Sequence, residues 1–220
     1  ELGILYLKGI GGPEDQEKGA ELLEEASNQG NMAAKVHLGK CYLNGIGRSI
    51  DNKKAFELFE ESQKSDDIEG SYQLAKCYKK GLGTTVNIPK AKSIFKSLID
   101  RKNHDRSMYE LGSYLIENYN YDNELEEGVS LLSKAAKKGN PKAMNLLGVC
   151  FLNGNGVEKN SEQAVKCFRA AIAAGEKLGK VNLAQCYIEG NGTPLDMKKG
   201  YEMLHEAPQD DPAAKFRIGI

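Results

Sequence analysis

Apolar positions along the 220-residue chain recur with two spacings at once. The short spacing is helical. Stretches such as "FELFEES" (56–62) and "LLSKAAKKG" (131–139) mix apolar and charged residues in the pattern of a helix with one buried face. The long spacing is a repeat. "LGILYLKGIG" begins at Leu2, "LGKCYLNGIG" at Leu38, "LAKCYKKGLG" at Leu74, "LGVCFLNGNG" at Leu147 and "LAQCYIEGNG" at Leu183. The small residue after the Leu stands at Gly3, Gly39, Ala75, Gly112, Gly148, Ala184 and Gly219, in steps of 36, 36, 37, 36, 36 and 35. A fixed period in this range predicts a stacked helical-repeat architecture.

With that small residue as position zero, position +3 is large and mostly aromatic: Tyr6, Tyr42, Tyr78, Leu115, Phe151 and Tyr187. Glycines fill +6 and +8 in five repeats, as Gly45 and Gly47 in the second. They predict a left-handed helix stop and turn. Repeat four has Asn118 and Asn120 there, and Asn is the non-Gly residue that best tolerates positive φ, so left-handed backbone is expected at both. Position +12 reads Asp15, Asp51, Asn87, Glu124, Asn160 and Asp196, and the Asp or Asn found there in five of the six repeats predicts the N-cap of a second helix. That helix carries a small residue at +16 (Gly19, Ala55, Ala91, Gly128, Ala164, Gly200), and Gly30, Gly139 and Gly175 end it. Asn140-Pro141 and Asp211-Pro212 each pair a cap with a Pro at the first helical position of the next repeat. Each repeat is therefore helix A, a Gly-rich turn, helix B and a short link. The repeats are placed at about 1–33, 34–69, 70–106, 107–142, 143–178 and 179–212, with a seventh beginning over 213–220. The small residues let helix backbones approach closely, and stacking builds the core that no single pair can enclose.

These residues resemble the Sel-1-like repeat, a relative of the tetratricopeptide repeat. Its pattern reads here as Ala34, Leu38-Gly39, Tyr42, Gly45, Gly47, Asp51 and Lys54-Ala55. In repeat five it reads Ala143, Leu147-Gly148, Phe151, Gly154, Gly156, Val157, Asn160, Ala164, Ala170-Ala171 and Gly175. Repeat four departs most, lacking both turn glycines and the Tyr. The resemblance implies an all-α, right-handed superhelical solenoid of about six repeats that acts as an adaptor in protein complexes.

Charge and chemistry narrow the class further. Thirty Lys and Arg against 31 Asp and Glu leave a net charge of -1, which argues against nucleic acid as partner. No apolar stretch is long enough to span a membrane. The GxG motifs lie between helices rather than after a strand, so they read as turns and not phosphate loops. Cys41, Cys77, Cys150 and Cys186 share one repeat position, and with Cys167 they read as small buried hydrophobes in a reduced compartment. Equivalent points on stacked helix pairs lie beyond the ~7 Å that a disulfide allows. His37, His104 and His205 occupy unrelated positions, which gives no catalytic or metal cluster. Asn191-Gly192-Thr193 fits a glycosylation sequon, although the turn pattern accounts for most of that match. No cofactor or enzymatic activity is expected. The expected location is the cytoplasm, with the endoplasmic reticulum lumen or secretion as alternatives, since the native termini are expected to lie beyond the sequence.

The binding face follows from comparing repeats within the chain. Positions -1, +3 and the turn glycines scarcely vary, whereas -2, +1 and +5 vary freely and share one helix A face. They read His37, Lys40 and Asn44 in repeat two, then Gln73, Lys76 and Lys80, Glu110, Ser113 and Glu117, Leu146, Val149 and Asn153, and Asn182, Gln185 and Glu189. In tetratricopeptide-like solenoids helix A lines the concave surface, so the resemblance places this stripe in a groove. Its order is a basic end, an acidic middle and an apolar step at Leu146 and Val149. The expected function is a protein-interaction scaffold that holds a protein or peptide partner, with acidic groups of the partner against Lys40, Lys76 and Lys80. The alternative is a regulatory or targeting domain of a larger enzyme, such as a kinase, a ubiquitin-ligase complex or a cell-wall synthase activator.

Overall fold

The structure, a computed structural model, describes residues 1–206, and over them every regular element is a helix. The Asp211-Pro212 cap, Gly219 and the start of a seventh repeat lie outside the described residues. The helices alternate as expected between helix A and helix B. They are α1 (Leu2–Lys8), α2 (Gln16–Asn28), α3 (Met32–Asn44), α4 (Asn52–Lys64), α5 (Ile68–Lys80), α6 (Ile88–Lys102), α7 (Asp105–Glu117), α8 (Asp122–Lys137), α9 (Pro141–Asn153), α10 (Ser161–Ala173), α11 (Lys177–Glu189) and α12 (Met197–His205). Contacts cluster into two units, Glu1–Asn103 with α1 to α6 and His104–Ile220 with α7 to α12. Inside each unit every helix packs on the next in sequence. In the second unit α9 also touches the helix A of either neighbour, α7 and α11.

The A-to-B turn is built the same way five times. The first turn glycine, Gly45 in repeat two, ends helix A at φ 69°, and its amide donates to the Cys41 carbonyl. The residue at +12 then closes the loop. Its backbone amide donates to the carbonyl at +3, as Asp51 to Tyr42 at 3.0 Å and Asp196 to Tyr187 at 2.8 Å. Its side chain caps helix B, as Asp51 Oδ1 does in accepting from the Lys54 amide at 3.0 Å. Asp15, Asn87, Asn160 and Asp196 cap their helices identically.

The second turn glycine has a different task. A Cβ on Gly47 would lie 1.9 Å from the Gln16 carbonyl oxygen at the start of α2. On Gly83, Gly156 and Gly192 it would meet the first turns of α4, α8 and α10 at 2.1, 2.5 and 2.2 Å. Each turn thus presses its bare backbone against helix B of the preceding repeat. Close approach within a repeat sets position zero against helix B at +16 or +20. A Cβ on Gly3 would be 2.8 Å from the Gly19 carbonyl, and one on Gly39 2.6 Å from the Phe59 ring.

Repeat four corrects one expectation and departs from the other repeats at the cap. Asn118 leaves α7 at φ -132°, and Asp66 and Asn103 are the described non-Gly residues at positive φ, so neither Asn118 nor Asn120 is left-handed. Glu124, the one +12 residue that is neither Asp nor Asn, is not the N-cap of its helix. The cap position of α8 is Tyr121, and Glu124 lies inside the first turn, its Oε2 accepting from the Asn120 amide at 2.7 Å. Both follow from length. Four residues, 118–121, join α7 to α8, against seven, 45–51, between α3 and α4. So short a link needs no double left-handed turn. The Asn118 side chain donates to the Tyr114 carbonyl instead and satisfies the helix end directly.

The core is made of the shared positions. Leu38, Leu74, Leu111, Leu147 and Leu183 at -1 are buried, as are Cys41, Cys77, Cys150 and Cys186 at +2. All five cysteines are free thiols, with Cys167 half-buried. Burial lifts the Cys77 and Cys150 thiols from 9.0 to about 11.

Candidate partner-binding surface

The helix A stripe is carried in the first unit by α3 and α5. His37 and Lys40 on α3, and Gln73 and Lys76 on α5, are half-buried, while Asn44 and Lys80 at the helix ends are exposed. The two helices are joined across the stripe. Lys40 Nζ lies 2.6 Å from Glu69 Oε1, with both side chains about a third exposed (32% and 27%). Glu69 also accepts from Gln73 Nε2 at 2.9 Å. Lys76 sits over the Tyr72 ring, 5.5 Å from its centroid. The three lysines expected to receive a partner's acidic groups therefore differ. Lys40 already holds an internal carboxylate, Lys76 rests on an aromatic face, and Lys80 stands exposed in the last turn of α5 beside Lys79. His37 titrates below the ordinary histidine range, first because of burial and then because of Lys40, with Glu69 opposing. Asn44 turns its amide back to the Lys40 carbonyl at 2.8 Å.

In the second unit the stripe runs over α7, α9 and α11. Glu110 is half-buried and Glu117 exposed, but Ser113 between them is only 4% exposed, and its hydroxyl donates to the Glu110 carbonyl at 3.2 Å. Ser113 belongs to the interior. The neighbourhood is acidic even so: the Tyr109 hydroxyl is pushed up by burial and then by Glu110, Glu117 and Glu176. Leu146 and Val149 on α9 are half-buried, and Val149 packs on the core around Phe168 and Leu183. The apolar step is thus partly spent inside the protein, and Asn153 is its exposed end. On α11, Asn182 donates to Asn145 of α9 at 2.8 Å, and Gln185 donates to Glu189. Glu189 also accepts from Asn191 at 2.7 Å. The Asn182–Asn145 bond joins adjacent A helices in this unit as Lys40–Glu69 does in the first.

One recurrent contact was not legible from helix A alone. Wherever +3 is Tyr, a Lys stands at +15 on helix B. Lys18 lies over Tyr6, Lys54 over Tyr42, Lys90 over Tyr78 and Lys199 over Tyr187, at 5.3, 5.2, 4.4 and 4.3 Å from the ring centroids. Where +3 is Leu115 or Phe151, +15 is Glu127 or Gln163. The covariation within one chain is the signal, and it marks a structural cation–π pair rather than a binding residue. The sequon also has a structural use: the Thr193 hydroxyl donates to the Cys186 carbonyl at 3.0 Å and finishes the turn after α11.

His37, His104 and His205 lie apart on α3, before α7 and on α12. No helix among the described residues is long and apolar enough to cross a membrane.

Comparison with known proteins agrees with this geometry. A family model for the Sel1 repeat matches residues 1–31, 33–62, 68–103, 105–140, 141–176 and 178–207. No curated protein matches the chain. Among solved structures, a protective antigen of uropathogenic Escherichia coli displaying an SLR fold is 26% identical, with a TM-score of 0.76 over 99% of this chain. The chain spans 47% of that antigen. A Sel1 repeat protein from Oxalobacter formigenes has the same TM-score over 99% of this chain and 82% of its own, at 23% identity. An immunity protein from Pseudomonas aeruginosa is 19% identical, with a TM-score of 0.62 over 93% of this chain and 80% of its own. Six consecutive matches of one repeat model, carried on alternating A and B helices, place the chain in the Sel1 repeat family.

Proposed function

We propose that this chain is a non-catalytic scaffold that holds an extended segment of a partner protein along its helix A stripe. One observation carries this reading. The chain keeps the fold-bearing positions nearly constant from repeat to repeat, yet -2 differs in each of repeats two to six, +1 and +5 vary among basic, acidic, polar and apolar residues, and the +5 residues are exposed. Helix-repeat arrays of this kind commonly mediate protein interactions, and divergent side chains on a constant frame are what selective recognition requires. The first unit's stripe is basic at Lys76 and Lys80 and suits acidic groups. The second begins with Glu110 and Glu117 and suits basic ones. Two P. aeruginosa structures that share the fold are named immunity proteins, and that name suits a binding role here. The same reading puts the protein in the cytoplasm, supported by four free thiols used as core residues.

The test is capture of partners followed by charge reversal at the exposed end of the stripe. Lys80→Glu, alone and with Lys76→Glu, should weaken the captured partner about tenfold and flatten the salt dependence of binding, because exposed pairs are screened. Lys40 is left unchanged because its reversal would set it against Glu69. Unchanged affinity in both variants, with loss of binding on substitution of helix B surface residues, would move the interface to the other face.

A further inference from the structure

Repeat three carries a cavity beside positions where two of its sister repeats place an ion pair. In repeat two, Lys35 at position -4 and Glu61 at +22 form an ion pair at 2.5 Å between helix A and helix B. In repeat six the same two positions are Lys180 and Glu206, paired at 2.7 Å. In repeats four and five position -4 is a methionine, Met108 or Met144. In repeat three both positions are serine, Ser71 on α5 and Ser97 on α6. A cavity of about 260 Å³ lies beside them, lined also by Ile94, Leu98 and Gln63 and by the exposed Asp66, Ser93, Arg101 and Lys102.

The chemistry of the walls is specific. Ser71 is 7% exposed and lines the cavity. Two more hydroxyls, of Ser93 and Ser97, line the same space. Arg101 and Lys102 supply two cations, because α6 runs 15 residues to Lys102 where most helices of the chain run 13. Both cations share one carboxylate, Asp66, at 3.3 Å from Arg101 and 3.1 Å from Lys102. All three charged side chains are at least a third exposed, so this triad is weak and exchangeable.

We propose that this cavity binds a phosphate dianion, free or as a phosphate monoester on a partner. A monocarboxylate would replace Asp66 with its equal and leave the hydroxyls short of acceptors. A dianion matches both cations, and its three or four oxygens accept from the guanidinium, the ammonium and the serine hydroxyls together. The site is on the α5–α6 pair at the end remote from the Gly-rich turn, and it does not depend on the helix A stripe.

The experiment is an amide-resolved NMR titration of the whole chain with inorganic phosphate at pH 7.5 and constant ionic strength. Parallel arms use acetate, a phosphoserine peptide and its unphosphorylated form. Saturable shifts centred on Ser71, Ser93, Ser97 and Arg101, absent with acetate and the plain peptide, are expected. Saturation by the phosphopeptide at lower concentration than phosphate assigns the ligand to a partner, and the reverse assigns it to free phosphate. Ser71→Lys with Ser97→Glu, which writes repeat two's own pair into repeat three, should weaken binding at least about tenfold by filling the site. Asp66→Asn, which keeps a residue tolerant of φ 56° and removes the competing carboxylate, should tighten it several-fold. Shifts linear in concentration, equal response to acetate, weaker binding by Asp66→Asn or undiminished binding by a folded Ser71→Lys/Ser97→Glu protein would each overturn the proposal. If that double variant does not fold, Arg101→Gln with Lys102→Gln replaces it, and undiminished phosphate binding there overturns it equally.

Discussion

At Gly47 two demands of the fold meet on one residue. Its φ of 63° is costly for any side chain, and the space where a Cβ would stand holds the Gln16 carbonyl at 1.9 Å. Gly11 is the control the chain provides. It has the same role in repeat one and φ 84°, but nothing lies within 4 Å because no described repeat precedes it. Gly11→Ala should therefore cost only the conformational term, about 1–2 kcal/mol. Gly47→Ala adds backbone displacement and should cost about 3 kcal/mol or more. Urea unfolding of the two variants measures the difference, and equal losses would show that the turn does not stack as tightly as Gly47 requires. The buried thiols give a second test. Cys77 and Cys150 titrate near 11 when folded and near 9 when unfolded, so the folded form binds more protons between those values. Stability is full below pH 9 and is lost as pH rises toward 11. The unfolding midpoint should fall across that window, and Cys77→Ala with Cys150→Ala should flatten the fall. At this scale the sequence was largely legible. Asp and Asn at +12 could be read as caps because one short side chain makes one local bond, and five of the six do so. Ser113 was misread because variability marks a position free of the fold only when its side chain is outside, and a small hydroxyl bonded to the Glu110 carbonyl varies safely inside.

Helices A and B of repeat four hold together without the turn that closes the other repeats. The backbone bond from +12 to +3 found elsewhere, Asp51 to Tyr42 for example, has no counterpart at Glu124, whose amide donates to Tyr121 within its own helix. Leu115 replaces the Tyr, and the cation at +15 is gone with it. Fewer ties across a connection lower the free energy of local opening. Hydrogen exchange should therefore show the segment from the last turn of α7 through Glu124 opening before the turns of repeats two, three and five. Protection there equal to that of residues 45–51 would count against this. The departure itself could be read from the two asparagines. Its form could not, because the start of α8 is set by how few residues are left to cross from one helix to the next, and that competes with the cap preference at +12.

Over the whole chain the period of 36 was enough to give the helix order, because each repeat solves the same packing problem with the same small residues. The period does not give the side-chain partners between repeats, since these fall at positions that differ each time. Lys40–Glu69 is the clearest instance: the lysine is at +1 and the glutamate at -6 of the next repeat, a pairing that no comparison of equivalent positions reveals. A stacked array spreads such a contact only to its neighbours, which makes the pair a probe of how far energy travels. Lys40→Glu places two carboxylates together across α3 and α5 and should lower stability there by about 1 kcal/mol or less, the range for a pair this exposed. The charge swap, Lys40→Glu with Glu69→Lys, should restore most of it. Hydrogen exchange in native buffer locates the loss. Protection should fall in α3 to α5 of the first unit and stay unchanged in α9 to α11 of the second, as nearest-neighbour coupling requires. An equal fall in α9 to α11 would mean that the 220 residues open as one cooperative body, and weak contacts anywhere in the array would then govern the stability of the whole binding surface.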